Sequence, residues 1–393
     1  MKFRFGFILL AAVTLLAGCS GFWNLPPSTT TTTVTKTTLS SGVFYVLNQT
    51  TKQIAAYTIS TGTLEQVSGS PYSLSSAPNC IAVAPGGGFL YVGTVSGIYL
   101  YSIGSGGALT IGNGGAVISS DVASAMQVSG AWLIDAFLPA AGTVQMNAIP
   151  INATTGAYTG TGAPPDQTFN VTNASVSQMV LSPDGTNLFL ALGRGGTIVV
   201  PFTAVNANPL GSKATVIATV NSNGSALSVA VDPTNRLFYI GETLANSAGD
   251  SGGLRVFNYS SLSGALTQAS GSPIASGGLS PNAILPIANG DYVYVANGQG
   301  TTGSGNVAWF PITASGTAYT IAAGNSISAG IVPMGLAEDS EDNFVLAVST
   351  GGSTSSGDPD LEAYTMSSGA LTAAIATSTG TDPVGAVAVA ALP

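Results

Sequence analysis

Gly249-Asp250-Ser251-Gly252-Gly253 is the stretch whose residue types best fit a nucleophile, a Ser held between Gly and Asp. A Ser hydroxyl attacks only when a neighbouring base takes its proton, and the usual base is His. The chain contains no His, so no Ser-His-acid triad can be assembled. The segment also falls between two strand patterns, not at the strand-to-helix turn that exposes a nucleophilic Ser. Gly298-Gln299-Gly300-Thr301-Thr302-Gly303 has the spacing of a phosphate-binding glycine loop. Such a loop needs a following helix whose N-terminus meets the phosphate. Here the next pattern is a strand, Val307 to Ile312.

Soft and borderline metals want Cys and His, and the only Cys residues are Cys19 and Cys80. A hard cation such as Ca²⁺ needs only carboxylates and carbonyls. Asp358, Asp360 and Glu362 stand at alternate positions and form the one weak candidate for it. Glu338, Asp339, Glu341 and Asp342 read as an acidic turn that serves solubility. No cofactor is expected.

The first nineteen residues lie outside any folded domain. Lys2 and Arg4 precede an apolar stretch from Phe5 to Ala17, too short for a spanning helix. It ends in Leu16-Ala17-Gly18-Cys19, which resembles the lipobox of bacterial lipoprotein signal peptides. The resemblance implies cleavage before Cys19, lipidation of its thiol, and export to the cell envelope. Outer-membrane sorting, to the periplasmic or the surface face, is the expected destination. Residues 20–41 carry Pro26-Pro27 and a run of Thr without apolar periodicity, a flexible tether. With Cys19 lipidated, Cys80 has no disulfide partner and reads as a buried thiol.

The chain holds 8 Lys and Arg against 17 Asp and Glu, a net charge of −9. Loss of Lys2 and Arg4 with the leader removes two positive charges and leaves −11. Nucleic acid and anionic lipid surfaces both require basic patches, and none exists here. The membrane is therefore met through the lipid anchor only.

What must position any site is a repeat spanning residues 42–393. An aromatic-rich run occurs seven times, with Tyr45, Tyr91, Leu133, Leu190, Tyr239, Tyr294 and Leu346 at its third position. The spacings are 46, 42, 57, 49, 55 and 52. A period near 50 with several short strands per unit is the signature of a β-propeller. Each unit reads as four antiparallel strands, giving an all-β, seven-bladed propeller. The first unit lacks its first strand, and an extra first-strand pattern, Val384 to Val389, follows the last. The C-terminal strand is therefore expected to join blade one and close the ring.

Phe44-Tyr45-Val46-Leu47-Asn48, Tyr292-Val293-Tyr294-Val295-Ala296-Asn297 and the Gly69-Ser70-Pro71 and Gly271-Ser272-Pro273 units carry a resemblance. They resemble the YVTN-repeat, lactonase-type propellers, a family that includes 6-phosphogluconolactonases and carboxymuconate cycloisomerases. The resemblance implies a His, Glu and Arg site near the channel mouth. Without His, no catalytic residue carries over.

The loops between second and third strands share a face with the connections between blades, where ligands usually bind. They read as short in the first four units and longer in the last three, over Glu242 to Gly252, Asn297 to Gly305 and Ser349 to Pro359. Arg194, Glu242, Asp250, Asn297, Asp358 and Asp360 form the candidate binding face. The leading expectation is a monomeric, lipid-anchored binding or scaffolding module for a protein or glycan partner. The alternative is a lactonase-like hydrolase with a His-free site.

Overall fold

The computed structural model describes residues 42–60, 63–246, 249, 251–300, 304–315, 318–322, 324–340, 343–351, 360–377, 379 and 385–393. The leader, Cys19 and the tether lie outside them, as do Asp250 and Asp358. Among the described residues the regular elements are strands apart from two short 3₁₀ turns, Ser105–Gly107 and Asn113–Gly115. No described helix is long and apolar enough to cross a membrane.

Each repeat folds as an antiparallel meander because short apolar runs alternate with residues that suit tight turns. In repeat two the strands Pro78–Val83, Phe89–Thr94, Gly97–Ile103 and Leu109–Ile111 pair in chain order. In repeat four the turn Ser182-Pro183-Asp184-Gly185 closes through Gly185 N–H to Ser182 O, and the Asp184 carboxylate accepts Thr186 N–H at 3.1 Å. Asp232 plays the same part in repeat five, accepting Thr234 N–H at 2.7 Å. These are side-chain-stabilised turns of the kind Asp favours.

The outer strand is broken in repeats one, five and six, and in repeats one and five a Gly-Ser-Pro unit stands at the break. Thr63–Gln66 and Tyr72–Ser73 both pair with Gln53–Ser60, and Ala265–Gln268 and Ile274–Ala275 both pair with Ser251–Ser260. The break would orphan a backbone N–H of the third strand. The Ser of each Gly-Ser-Pro unit fills the gap: Ser70 Oγ accepts Ala56 N–H at 2.8 Å and Ser272 Oγ accepts Val256 N–H at 2.7 Å. That is the physical meaning of this repeated tripeptide.

The propeller closes as the strand count at its two ends requires. The C-terminal strand Ala386–Ala391 pairs antiparallel with Val43–Asn48, from Phe44 opposite Ala391 to Asn48 opposite Ala386. Gln49 N–H adds a bond to Gly385 O at 2.6 Å. The innermost strands then touch in succession: Ala386–Ala391, Pro78–Val83, Ala125–Ser129, Ala174–Leu181, Ala226–Val231, Gly278–Pro286, Ile331–Glu338, and back to the first. The hydrogen-bonded sheets depart from one sheet per repeat at one place. The meanders of repeats four and five merge into a nine-stranded sheet, because Gly193 at the end of one second strand bridges to Ala226 of the next inner strand.

The core lies between neighbouring meanders, and the recurrent Tyr is its latch. Tyr45, Tyr91 and Tyr294 are fully buried, and each hydroxyl donates to a Gly carbonyl in the third-to-fourth hairpin of the next repeat. The acceptors are Gly107 at 2.8 Å, Gly156 at 2.9 Å and Gly369 at 3.0 Å. The acceptor has to be Gly. At Gly156 φ is +68°, and a Cβ there would stand 2.7 Å from Phe89, the residue two before the Tyr. Gly107 against Val43 and Gly369 against Tyr292 repeat the arrangement.

Tyr91→Phe keeps the ring and strands the Gly156 carbonyl, so a loss of about 1–2 kcal/mol is expected in urea unfolding. Tyr99→Phe serves as its control. Tyr99 makes its 3.1 Å contact with Ser75 at an exposed position, and its loss is expected to stay within about 0.5 kcal/mol. Equal costs for the two variants would contradict the latch.

Candidate functional site

In every meander the inner strand begins and the second strand ends at the same face, together with the connection from the preceding repeat. A buried polar residue at that end of the second strand recurs around the ring. Asn48 donates to Thr379 O at 3.2 Å, and Thr94 Oγ1 accepts from Ser76 at 2.9 Å. Glu242 accepts Val220 N–H at 3.0 Å, and Asn297 donates to Ser276 O at 2.8 Å. Each partner belongs to the connection that leads into its repeat or the next. These residues satisfy backbone and side-chain groups that would otherwise be buried unpaired.

The described members of the expected binding face resolve accordingly. Glu242 is 2% exposed and pairs with Arg255 at 3.2 Å. Burial raises its pKa, opposed by Val220 N–H and the Arg255 guanidinium. Asn297 is fully buried between Ser276 and Asn306. Both sit inside strands, Leu237–Leu244 and Tyr292–Gly300, that run further than the Gly- and Ser-rich sequence implied.

Asp360 is also fully buried, its carboxylate held by Thr379 N–H at 2.6 Å and by the Thr379 hydroxyl. Glu362 turns elsewhere, accepting Gly330 N–H at 3.1 Å and the Tyr364 hydroxyl at 2.7 Å. Of the three carboxylates expected to share a cation, Asp358 lies outside the described residues, while Asp360 bonds to Thr379 and Glu362 to Gly330 and Tyr364. No group of three or more Asp, Glu, Cys or His among the described residues could hold a metal. Arg194 alone of the described candidates is exposed, with a long 3.5 Å contact to Asn223. It is not brought together with Glu242, Asn297 or Asp360 by any hydrogen bond or ion pair among the described residues.

Repeat three carries a carboxyl pair. Its second strand Trp132–Ala140 places Asp135, fully buried, opposite Asn147 of Thr143–Pro150. Asn147 N–H donates to Asp135 Oδ1 at 3.2 Å, and Asn147 Nδ2 donates to Asp121 Oδ2 at 3.0 Å. Asp121 comes from the connection into repeat three, is half-buried, and also accepts the Ser119 hydroxyl. Its neighbours Ser120 and Val122 are exposed.

Asp135 Oδ2 is buried and accepts no hydrogen bond among the described residues. Burial, then the Asp121 charge beside it, pushes the Asp135 pKa well above the usual carboxylate range, and Asn147 N–H only partly offsets this. A proton on Oδ2 resolves both facts, since a neutral carboxyl can donate to the Asp121 carboxylate. Cys80 is buried beside this pair, its Sγ 3.4 Å from Ala123 O. Its thiol is pushed up by burial and then by Asp135, so it stays protonated and unreactive.

The raised Asp135 pKa has a consequence for stability. The folded state holds a proton that the unfolded chain releases near the ordinary Asp value of about 3.9. Above that pH the unfolded state binds fewer protons than the folded one, so stability falls as pH rises toward the folded pKa. Glu242 contributes in the same direction. Urea midpoints measured from pH 4 to pH 8 are expected to decline more steeply in wild type than in Asp135→Asn. Parallel curves would contradict a buried proton at Asp135.

The chain folds as an all-β propeller, and solved structures of that architecture superpose on it. A proposed 6-phosphogluconolactonase from Bacteroides uniformis superposes with a TM-score of 0.67 at 17% identity, over 90% of this chain and 99% of that one. The periplasmic gluconolactonase of Pseudomonas aeruginosa gives 0.66 at 17% identity, over 90% and 99%. A protein from Lactobacillus plantarum gives 0.66 at 19% identity, with the same coverage. At such identities the likeness establishes the fold. No protein-family model and no curated protein matches the sequence.

Proposed function

We propose that this chain is a seven-bladed, lactonase-type hydrolase that opens neutral hydroxylated lactones, with Asp121 as general base. The observation that carries the reading is the half-buried Asp121 carboxylate beside a buried Asp135 with an orphaned Oδ2, at the face where propellers bind ligands. The structural neighbours named for gluconolactonase chemistry support the substrate class. A phosphorylated lactone fits poorly, because a phosphate wants several cations. Of the described basic residues, Arg236 and Arg255 are held in ion pairs with Asp232 and Glu242.

In the proposed reaction Asp121 takes a proton from water, and the water oxygen bonds to the lactone carbonyl carbon. The ring C–O bond then breaks, and the departing ring oxygen receives that proton to give a hydroxy acid. Asp135 acts as a positioning residue: its proton donates to Asp121 and fixes which oxygen faces the water. Asn147 holds both carboxyls in register.

Export belongs to the same reading. Cleavage before Cys19 and lipidation of its thiol would set the propeller in the cell envelope, where neutral sugar lactones are accessible. Intact-mass analysis is expected to find acylated Cys19, and Cys19→Ala to release soluble protein. The hydrolase reading itself is tested by acid release from a panel of γ- and δ-lactones with purified residues 42–393. Rates above spontaneous hydrolysis support it. Spontaneous rates across the panel would leave the binding-module reading in its place.

A further inference from the structure

A second site sits apart from the carboxyl pair, in a cleft of about 460 Å³ on repeat four. The end of the outer strand of repeat three supplies Asn170 and the connection after it Thr172, the second-to-third hairpin of repeat four supplies Arg194, and its outer strand with the connection beyond supplies Val216, Thr219 and Ser222. All three segments lie at the loop face. We propose that this cleft binds a small hydroxylated monocarboxylate, with Arg194 holding the carboxylate.

Charge sets the sign of the ligand. The protein is strongly acidic, with net charge −9, and its surface repels anions at long range. Arg236 and Arg255 are neutralised by buried carboxylates, whereas Arg194 forms no ion pair among the described residues. Its 3.5 Å contact to Asn223 is at the edge of hydrogen-bond reach, so the guanidinium keeps its donor fork for a ligand. An acidic chain that leaves a cation unneutralised in a concave site is built to recognise an anion there.

The lining sets the rest of the chemistry. Asn170, Thr172, Thr219 and Ser222 offer hydroxyl and amide groups suited to a polyol chain. Val216, 57% exposed, supplies an apolar contact for the ligand's carbon backbone. One guanidinium fits a planar carboxylate bidentately but does not neutralise a phosphate dianion. The site therefore takes a sugar acid or similar hydroxy acid.

The proposal does not depend on catalysis at Asp121, and the experiment keeps the two apart. Isothermal titration of residues 42–393 with D-gluconate, D-glucose and inorganic phosphate at constant ionic strength provides the readout. Gluconate is expected to bind, glucose not, and Arg194→Gln to weaken gluconate about tenfold or more with an unchanged melt. Absence of gluconate binding, or binding unaltered in Arg194→Gln, would overturn the proposal. Phosphate binding as tight as gluconate would overturn the ligand class, since charge alone would then be read. An Arg194→Gln variant that loses gluconate binding but keeps lactone hydrolysis would support a site separate from Asp121, and wild type that binds gluconate without hydrolysing any lactone would overturn only the hydrolase reading.

Discussion

Truncation after Pro383 is expected to lower the melting temperature by more than about 10 °C, or to abolish a cooperative melt. The removed strand Ala386–Ala391 is the innermost strand of repeat one, paired along the whole of Val43–Asn48. Ala386 is buried, and Val387, Ala388 and Val389 pack into the two cores on either side of that repeat. Its loss exposes an apolar edge at Val43–Asn48 and opens the ring between Ile331–Glu338 and Pro78–Val83. Deleting these contacts is worth several kcal/mol at about 25 cal/mol per Å² of apolar surface. For a domain of about 350 residues each kcal/mol moves the melt by about 1.4 °C, so a drop above about 10 °C corresponds to a loss of roughly 7 kcal/mol. Thermal melts followed by circular dichroism check this, and an unchanged melt would mean the C-terminal strand does not close the ring. Hydrogen exchange should localise the damage to Val43–Asn48 first.

Asp121→Asn is expected to reduce kcat for lactone opening by about 10²–10⁴, with KM little changed. The side chain keeps its shape and its bonds to Ser119 and Asn147 are replaceable by the amide, so folding should survive. What is lost is the negative oxygen that accepts the water proton. Asp135→Asn should behave differently. An amide donates to Asp121 at every pH, whereas the carboxyl donates only while protonated. Wild-type activity is therefore expected to decline at high pH as Asp135 ionises beside Asp121, and Asp135→Asn to lose that decline. Equal activity of Asp121→Asn and wild type would remove the carboxyl pair from the mechanism.

The scaffold was readable because it is repeated. Tyr91 alone could pass for a chemical group; as one of a series with Tyr45 and Tyr294, its role as an interlocking residue is apparent. Strand closure followed from one missing and one extra strand pattern, a counting argument that needs no three-dimensional information. The site was less legible for two physical reasons. Glu242 and Asn297 lie in sequence that looks like loop, yet the strands continue through them and bury them against the connections between repeats. Asp121 and Asp135 come from different elements, a connection and a strand, and only the antiparallel fold sets them together through Asn147. One signal was present: Asp135 interrupts the apolar run Trp132-Leu133-Ile134 at a position where other repeats carry small or apolar residues. A charge in the middle of a buried strand has to be paired or neutral, and at Asp135 burial and the Asp121 charge both favour the neutral form.

The central claim is that Asp121 and Asp135 share one proton in the folded protein. Infrared difference spectroscopy of wild type against Asp135→Asn at neutral pH tests it most directly. The account predicts a protonated-carboxyl stretch in wild type that disappears in the variant and shifts when Asp121→Asn removes the neighbouring charge. A wild-type spectrum at neutral pH with only carboxylate bands, identical in this region to that of Asp135→Asn, would contradict it.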